Sequence, residues 1–281
     1  MNALEIKDLT KSFKGFQLDK LNLTLPQGCI MGLIGENGAG KSTTIKLILQ
    51  MLRADGGSVQ MLGQDALTAG AALREDVGVV PDVVGIPECL TAEQTGKVMS
   101  GIFTHWEPET YEGLIRRLNI PKDKRFGDMS RGNKMKLGIA VAMSHGAKLL
   151  ILDEATSGLD PVVRDEVVEM LGDFTRDENH SVLLSSHIVS DLERLCDYVA
   201  FLHKGKLLLC EEKDVLLDEY GLLRCTPAEM DALDRSAIIH RKDSAWGAEA
   251  VVRRDAVPAG TALSPVSVEE LFVHMVKEAQ F

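Results

Sequence analysis

The hydrophobic pattern of the chain changes period several times, and each change marks an element. Near the start, Leu4-Glu5-Ile6-Lys7 and Leu21-Asn22-Leu23-Thr24-Leu25 alternate apolar with polar residues. A period of two predicts strands with one buried face. Pro26-Gln27-Gly28 is a turn into Cys29-Ile30-Met31-Gly32-Leu33-Ile34, an unbroken apolar run that predicts a strand buried on both faces. Thr44-Ile45-Lys46-Leu47-Ile48-Leu49 reads as a helix. Val59–Gly63 reads as a short strand after the turn at Ala54–Ser58, and Asp76–Asp82 as a strand stopped by Pro81. From Leu90 to about Ser144 the period becomes helical. Thr91-Ala92-Glu93-Gln94 looks like a helix start. Tyr111, Leu114, Ile115 and Leu118 share one face, as do Met135, Ile139 and Met143, with Gly146 placed for a C-cap. Buried-strand runs return at Lys148–Glu154 and Ser181–Ser185. Tyr198–His203 and Lys206–Leu209 flank Lys204-Gly205, a hairpin pattern.

Beyond residue 210 the signal weakens. Ser236–His240 and Glu249–Val252 look strand-like. Ser267-Val268-Glu269-Glu270 is a capping box, with Val266 and Leu271 spaced for a hydrophobic staple. Val268, Leu271, Phe272, Met275, Val276 and Ala279 then form an amphipathic stripe, expected to pack back on its own domain. The alternation of strands and helices predicts an α/β fold. Residues 1–82 and 147–210 would form a core with an N-terminal β subdomain, residues 83–146 a helical insertion, and residues 211–281 a small α+β extension.

The first buried strand runs into Gly35-Glu36-Asn37-Gly38-Ala39-Gly40-Lys41-Ser42-Thr43. Strand, glycine-rich turn, Lys-Ser and helix are the context of a phosphate-binding loop. Gly35, Gly38 and Gly40 permit close backbone approach, so that the loop amides converge on one anion at a helix N-terminus. Lys41 supplies a cation for the β and γ phosphates, and the Ser42 hydroxyl is a hard oxygen suited to Mg²⁺. A second strand ends in Asp153-Glu154, two carboxylates at the end where ligands sit in open α/β sheets. Asp153 suits the water shell of Mg²⁺, and Glu154 suits the polarising of an attacking water. His187 stands at the end of the next strand, where it can donate to a γ-phosphate. Phe13 and Phe16 are aromatics whose ordinary role is packing, although a ring can also stack on a base.

Composition narrows the picture. The 281 residues carry 42 acids and 31 bases, a net charge of −11. That balance opposes binding that rests on neutralising nucleic-acid phosphates. No apolar run approaches the roughly 18 residues of a membrane span, and the N-terminus lacks the pattern of a secretory signal. The five cysteines are widely spaced without a C-x-x-C pair, as expected of reduced thiols in a cytoplasmic protein.

The order of motifs, with Leu-Ile-Leu-Asp-Glu at 150–154, Ser-Gly-Leu-Asp at 157–160 and Ser-Ser-His at 185–187, resembles the ATP-binding subunit of ABC transporters over about residues 3–210. The resemblance implies a P-loop (RecA-like) NTPase core and ATP hydrolysis with Mg²⁺. It places Phe13 as the base-stacking aromatic, with Phe16 the other candidate. Asn37, Ala39 and Thr43 join Gly35, Gly38, Gly40, Lys41 and Ser42 around the phosphates. Asp153 becomes the Mg²⁺-associated acid, Glu154 the general base, His187 the switch histidine and Asp160 the loop that communicates across a dimer. The family signature falls on Met129-Ser130-Arg131-Gly132-Asn133, where Ser130 and Gly132 would serve the site of a second subunit and Arg131 departs from the usual glycine. Asp82 stands where the family commonly has Gln. An acid there can hold a Mg²⁺-bound water but cannot donate an amide hydrogen bond.

By the same resemblance the partners would be transmembrane permease subunits and a second ATP-binding subunit, in a homodimer or heterodimer, with the chain peripheral on the cytoplasmic face of the membrane. The run Asp153–Pro161 looks most like exporters of drugs, antimicrobial peptides or lipids. The competing reading is a soluble ABC-type ATPase acting as a regulatory or ribosome-associated switch. A GTPase is disfavoured, because Asn133-Lys134-Met135-Lys136 lacks the last residue of a guanine-reading Asn-Lys-x-Asp. A non-hydrolysing regulator is disfavoured by the presence of both Glu154 and His187.

Overall fold

The computed structural model describes residues 1–279. Strand β1 (Asn2–Phe13) pairs antiparallel with β2 (Phe16–Pro26). Both are longer than their alternation suggests. Asp8 and Lys20 adopt left-handed angles, and the register shifts between Ile6 and Leu9, so the period of two breaks although the strands continue. After β3 (Ile30–Gly35) comes the glycine-rich loop and α1 (Lys41–Ile48). Strands β4 (Gly56–Met61) and β5 (Gln64–Asp65) complete a four-stranded antiparallel sheet in the order β2-β1-β4-β5. Helix α2 (Gly70–Glu75) leads into β6 (Val77–Val80).

The helical stretch follows as α3 (Ala92–Met99), α4 (Pro108–Arg117) and α5 (Arg131–Ala142). Thr91 and Gln94 make a reciprocal capping box on α3. Helix α5 ends earlier than the Gly146 expectation. Met143 is its C-cap, the Ser144 hydroxyl bonds the Ala140 carbonyl, and Gly146 turns the chain only afterwards. The central sheet then resumes with β7 (Leu149–Asp153), α6 (Pro161–Phe174), β8 (Ser181–Ser186), α7 (Val189–Leu195), β9 (Tyr198–His203) and β10 (Lys206–Glu212). Its order is β10-β9-β3-β8-β7-β6, parallel except for the β9–β10 hairpin.

The apolar runs are explained by this sheet, which is buried on both faces. On β7, Leu149 and Ile151 point into a core shared with β1 and β2, whereas Leu150 and Leu152 point into a core shared with the helices. Each fully buried aliphatic side chain contributes about 1.5–3 kcal/mol of burial. Periodicity alone cannot assign these faces, because both are apolar.

The C-terminal region contains more than the two expected strands. It comprises α8 (Lys213–Glu219), β11 (Tyr220–Cys225), α9 (Pro227–Asp231), β12 (Ile238–Ser244), β13 (Gly247–Arg253) and α10 (Val268–Glu278). The strands form an antiparallel sheet in the order β11-β13-β12. The Ser267–Glu270 capping box forms as expected. Helix α10 packs back on the chain, and Phe272 meets Phe201 of β9 edge-on, with ring centroids 5.3 Å apart. Ala279 at the end of the stripe is exposed.

The helical stretch is fastened to neighbouring elements along and just beyond α5. Near its C-terminal end, the buried His145 ring stacks on Phe103 with centroids 4.0 Å apart, and its Nδ1 lies 2.9 Å from the Glu75 carbonyl. The Glu75 carboxylate in turn accepts from the Thr104 amide. Lys136, also buried, pairs with Glu166 of α6 at 2.7 Å. Burial pushes the His145 pKa down, partly offset by its bond to the Glu75 carbonyl. The fold therefore favours neutral His145, and this contribution is intact above the ordinary value of about 6.5 and lost as pH falls below it. Urea midpoints measured from about pH 7.5 to 5 should fall more steeply for the wild type than for His145→Asn, which keeps a donor but does not titrate. Equal slopes would refute the assignment.

Candidate functional site

The parallel register places three strand ends side by side. Ile34 pairs with Ser186, and Asp153 with Ser185. The residues just beyond these ends surround a cleft of about 600 Å³. At its base the glycine-rich loop turns through left-handed angles at Gly38 and Gly40, with φ of +82° and +114°. A Cβ on Gly40 would stand 2.9 Å from the Phe16 ring, and one on Gly35 would stand 2.5 Å from the Leu202 carbonyl oxygen. Gly40 is also the N-cap of α1, so no side chain satisfies the first amides of that helix. Such an N-terminus carries partial positive charge suited to an anion.

The charged groups of the cleft form a chain. Lys41 Nζ donates to the Gly35 carbonyl at 2.7 Å and pairs with Glu154 Oε1 at 3.0 Å. The other oxygen, Glu154 Oε2, lies 2.7 Å from His187 Nδ1. Lys41 is 6% exposed and Glu154 13%, so this contact is shielded from water, where charge pairs interact more strongly than at the surface. Glu154 holds a left-handed backbone, with φ of +53°. That conformation costs a non-glycine residue about 1–2 kcal/mol and must be imposed by its surroundings. Here the Glu154 amide is fixed by both the carbonyl and the hydroxyl of Ser185, each at 3.1 Å.

The cleft is lined by Asn37, Gly38, Gly40, Lys41, Ser42, Thr43, Asp82, Glu154 and His187, all read from the sequence. Phe16, Glu36, Arg131 and Ser157 line it as well. Phe13 does not. It lies beside Phe16, with centroids 6.3 Å apart, and is 44% exposed. Gly35 and Ala39 shape the loop from beneath. Asp153 is buried behind Glu154, with Oδ1 accepting from the Ser185 hydroxyl at 2.6 Å. Asp160 is the N-cap of α6, accepting from the Val163 amide. Ser130 caps α5 by accepting from the Asn133 amide, and Gly132 faces Leu159 and Val163. Neither lines this cleft.

The sequence model of the ABC transporter family matches residues 18–157. The bacitracin transport ATP-binding protein BcrA of Bacillus licheniformis is 33% identical over 208 residues, 73% of this chain and 68% of that one. The chain belongs to the ABC transporter ATP-binding family. The lantibiotic transport ATP-binding protein SrtF of Streptococcus pyogenes is 34% identical over 217 residues, 75% of this chain and 91% of that one. Among solved structures, the ATP-binding subunit of an ABC transporter superposes with a TM-score of 0.69 at 28% identity, over 76% of this chain and 91% of that one. The dimeric cassette MJ0796 bound to ADP and phosphate shares the fold, with a TM-score of 0.67 at 18% identity over 74% of this chain and 98% of that one. As a member of this family the chain is an ATPase with a P-loop NTPase fold.

Ser185, visible in the sequence only as a strand end within Ser-Ser-His, received no role of its own from it. Its one hydroxyl donates to Asp153 and accepts from the Glu154 amide. Its only signal was a polar residue at the end of a buried apolar run. A second such contact is His203, buried at the end of β9, whose Nδ1 lies 3.1 Å from Glu36 Oε2 in the phosphate loop. Removing a hydrogen bond to a charged group costs about 1.5–3 kcal/mol. Ser185→Ala should therefore lower ATP turnover by about tenfold or more, with circular dichroism unchanged. Wild-type turnover would show the bridge to be dispensable.

Proposed function

We propose that the cleft binds ATP with Mg²⁺, that ATP drives closure of two ATP-binding subunits against separate membrane subunits, and that hydrolysis lets them reopen, to export drugs, antimicrobial peptides or lipids. The observation that carries this reading is the continuous Lys41–Glu154–His187 contact set directly above uncapped helix amides. The loop amides and Lys41 hold the phosphates. Glu154 orients and deprotonates the attacking water, and His187 donates to the γ-phosphate. Phe16, and Phe13 beside it, offer faces for the base.

The oxygen donors fit Mg²⁺. Ser42 brings a hydroxyl to the cleft, and Asp153 keeps one carboxylate oxygen beyond the one held by Ser185. Among the described residues no cluster of three or more His, Cys, Asp or Glu forms a dedicated metal cage. A sparse set of this kind matches an ion held mainly by phosphates and waters. When bound, the ion neutralises charge on the β and γ phosphates. Ser130 and Gly132 are assigned to the phosphate of a neighbouring subunit, and Asp160 to contact across that dimer.

Relatives named for bacitracin, lantibiotic and Nod factor transport support a transporter over a soluble switch. No described helix is long and apolar enough to cross a membrane, and the path across it is assigned to a separate permease. We assign the chain a peripheral position on the cytoplasmic face, through that permease. Closure would reach the permease through the surface from Asp82 to Leu90 and the helical stretch. An adjoining groove of about 510 Å³ carries the exposed apolar residues Met51 and Ile102.

Glu154→Gln should reduce steady-state ATP hydrolysis at least 100-fold while ATP binding persists, and equal hydrolysis would sink the general-base role. Met51→Glu with Ile102→Glu should abolish co-purification with the permease yet leave the basal ATPase of the isolated subunit. Undiminished co-purification would remove the groove from the interface.

A further inference from the structure

Two departures of this chain from its family's pattern meet in space. Arg131 Nη2 donates to Asp82 Oδ1 at 3.0 Å, although the residues lie 49 positions apart. Both line the cleft that holds Lys41, Ser42, Glu154 and His187. The neighbours of Arg131 in the signature, Ser130 and Gly132, do not. The signature segment thus presents a serine and a glycine elsewhere but turns its arginine into the cleft of its own chain. Room for that arginine comes from Gly158, whose φ is +68°. A Cβ there would stand 3.1 Å from Arg131 Nη1.

The Asp82 contact holds Arg131 only weakly. Both side chains are about half exposed, and pairs of that kind are readily exchanged. A triphosphate offers more negative charge than one carboxylate, and a guanidinium binds phosphate oxygens in a two-pronged geometry. Glu36 and Glu154, the other acids lining the cleft, already engage His203 and Lys41.

The geometry points to Arg131 as a phosphate-reading residue of its own chain's cleft, kept in place by Asp82 and transferred to the terminal phosphate when ATP enters. This rests on the cleft being the ATP site. The loop amides and the β-phosphate contact of Lys41 serve ATP and ADP alike, whereas Arg131, like His187, acts on the terminal phosphate of ATP. It therefore adds to the preference for triphosphate over diphosphate.

Calorimetric titration of ATP and ADP, with Mg²⁺, into the full chain carrying Glu154→Gln separates the roles without turnover. Arg131→Ala should weaken ATP about tenfold and leave ADP within about twofold. Asp82→Asn should tighten ATP several-fold by removing the competitor, and the double variant should match Arg131→Ala alone. Arg131→Lys should recover part of the ATP affinity. Equal weakening of both nucleotides by Arg131→Ala would reduce the residue to a structural brace and overturn the proposal, as would no effect on either. Weaker ATP binding in Asp82→Asn would also overturn it, by making Asp82 itself a holder of nucleotide or its ion. Lys41→Ala tests the underlying reading separately. Undiminished ATP binding there would show that the cleft is not the ATP site.

Discussion

The cleft depends on one constraint, the level at which three parallel strands end. Pairing of β3 with β8 and of β8 with β7 sets the glycine-rich loop, Glu154 and His187 side by side. None of these groups could reach the others from a shifted strand. A slip of one residue would move Asp153 off Ser185 and exchange the two buried faces of β7, which serve different cores. The chemistry of the site is thus protected by the cores above and below it. A left-handed Glu154 persists because the strand end that forces it cannot relax.

What the sequence displays most clearly is local. The phosphate loop, the Asp153-Glu154 strand end and the capping boxes at Thr91 and Ser267 each occupy a few adjacent residues, and each physical cause lies within its own span. What the sequence conceals is long-range. Ser185 bridges Asp153 and Glu154 across neighbouring strands, His203 reaches Glu36 across 167 positions, and Arg131 reaches Asp82 across 49. No periodicity carries such contacts, because they are products of the assembled sheet. The same reasoning separates Phe13 from Phe16. Both sit at a strand hairpin, and only the packing against Gly40 puts Phe16 into the cleft.

The C-terminal region was hard to read for another reason. Strand β11 and helices α8 and α9, which no expected element covers, are each seven residues or fewer, too short for a period to establish itself. Helix α10 stood out because its capping box and apolar stripe reinforce one another. Its Phe272 reaches Phe201 on β9, the strand that also carries His203 to the phosphate loop. The extension is therefore built onto the same strand that supports the loop from behind.

Helix α5 and strand β6 lie against each other so closely that a Cβ on Gly78 would collide with the Ala142 carbonyl. The twelve residues of α5 span about 18 Å, and its two ends are pinned to opposite flanks of the four-residue β6. Arg131 is tied to Asp82 just past the strand, and His145 to Glu75 just before it. Together they tie the helix to the flanks of the strand at two corners of different strength. The Arg131 corner is solvated and easily released, whereas the His145 corner is buried and stacked. The helix is therefore held least firmly at the end that lies beside the cleft.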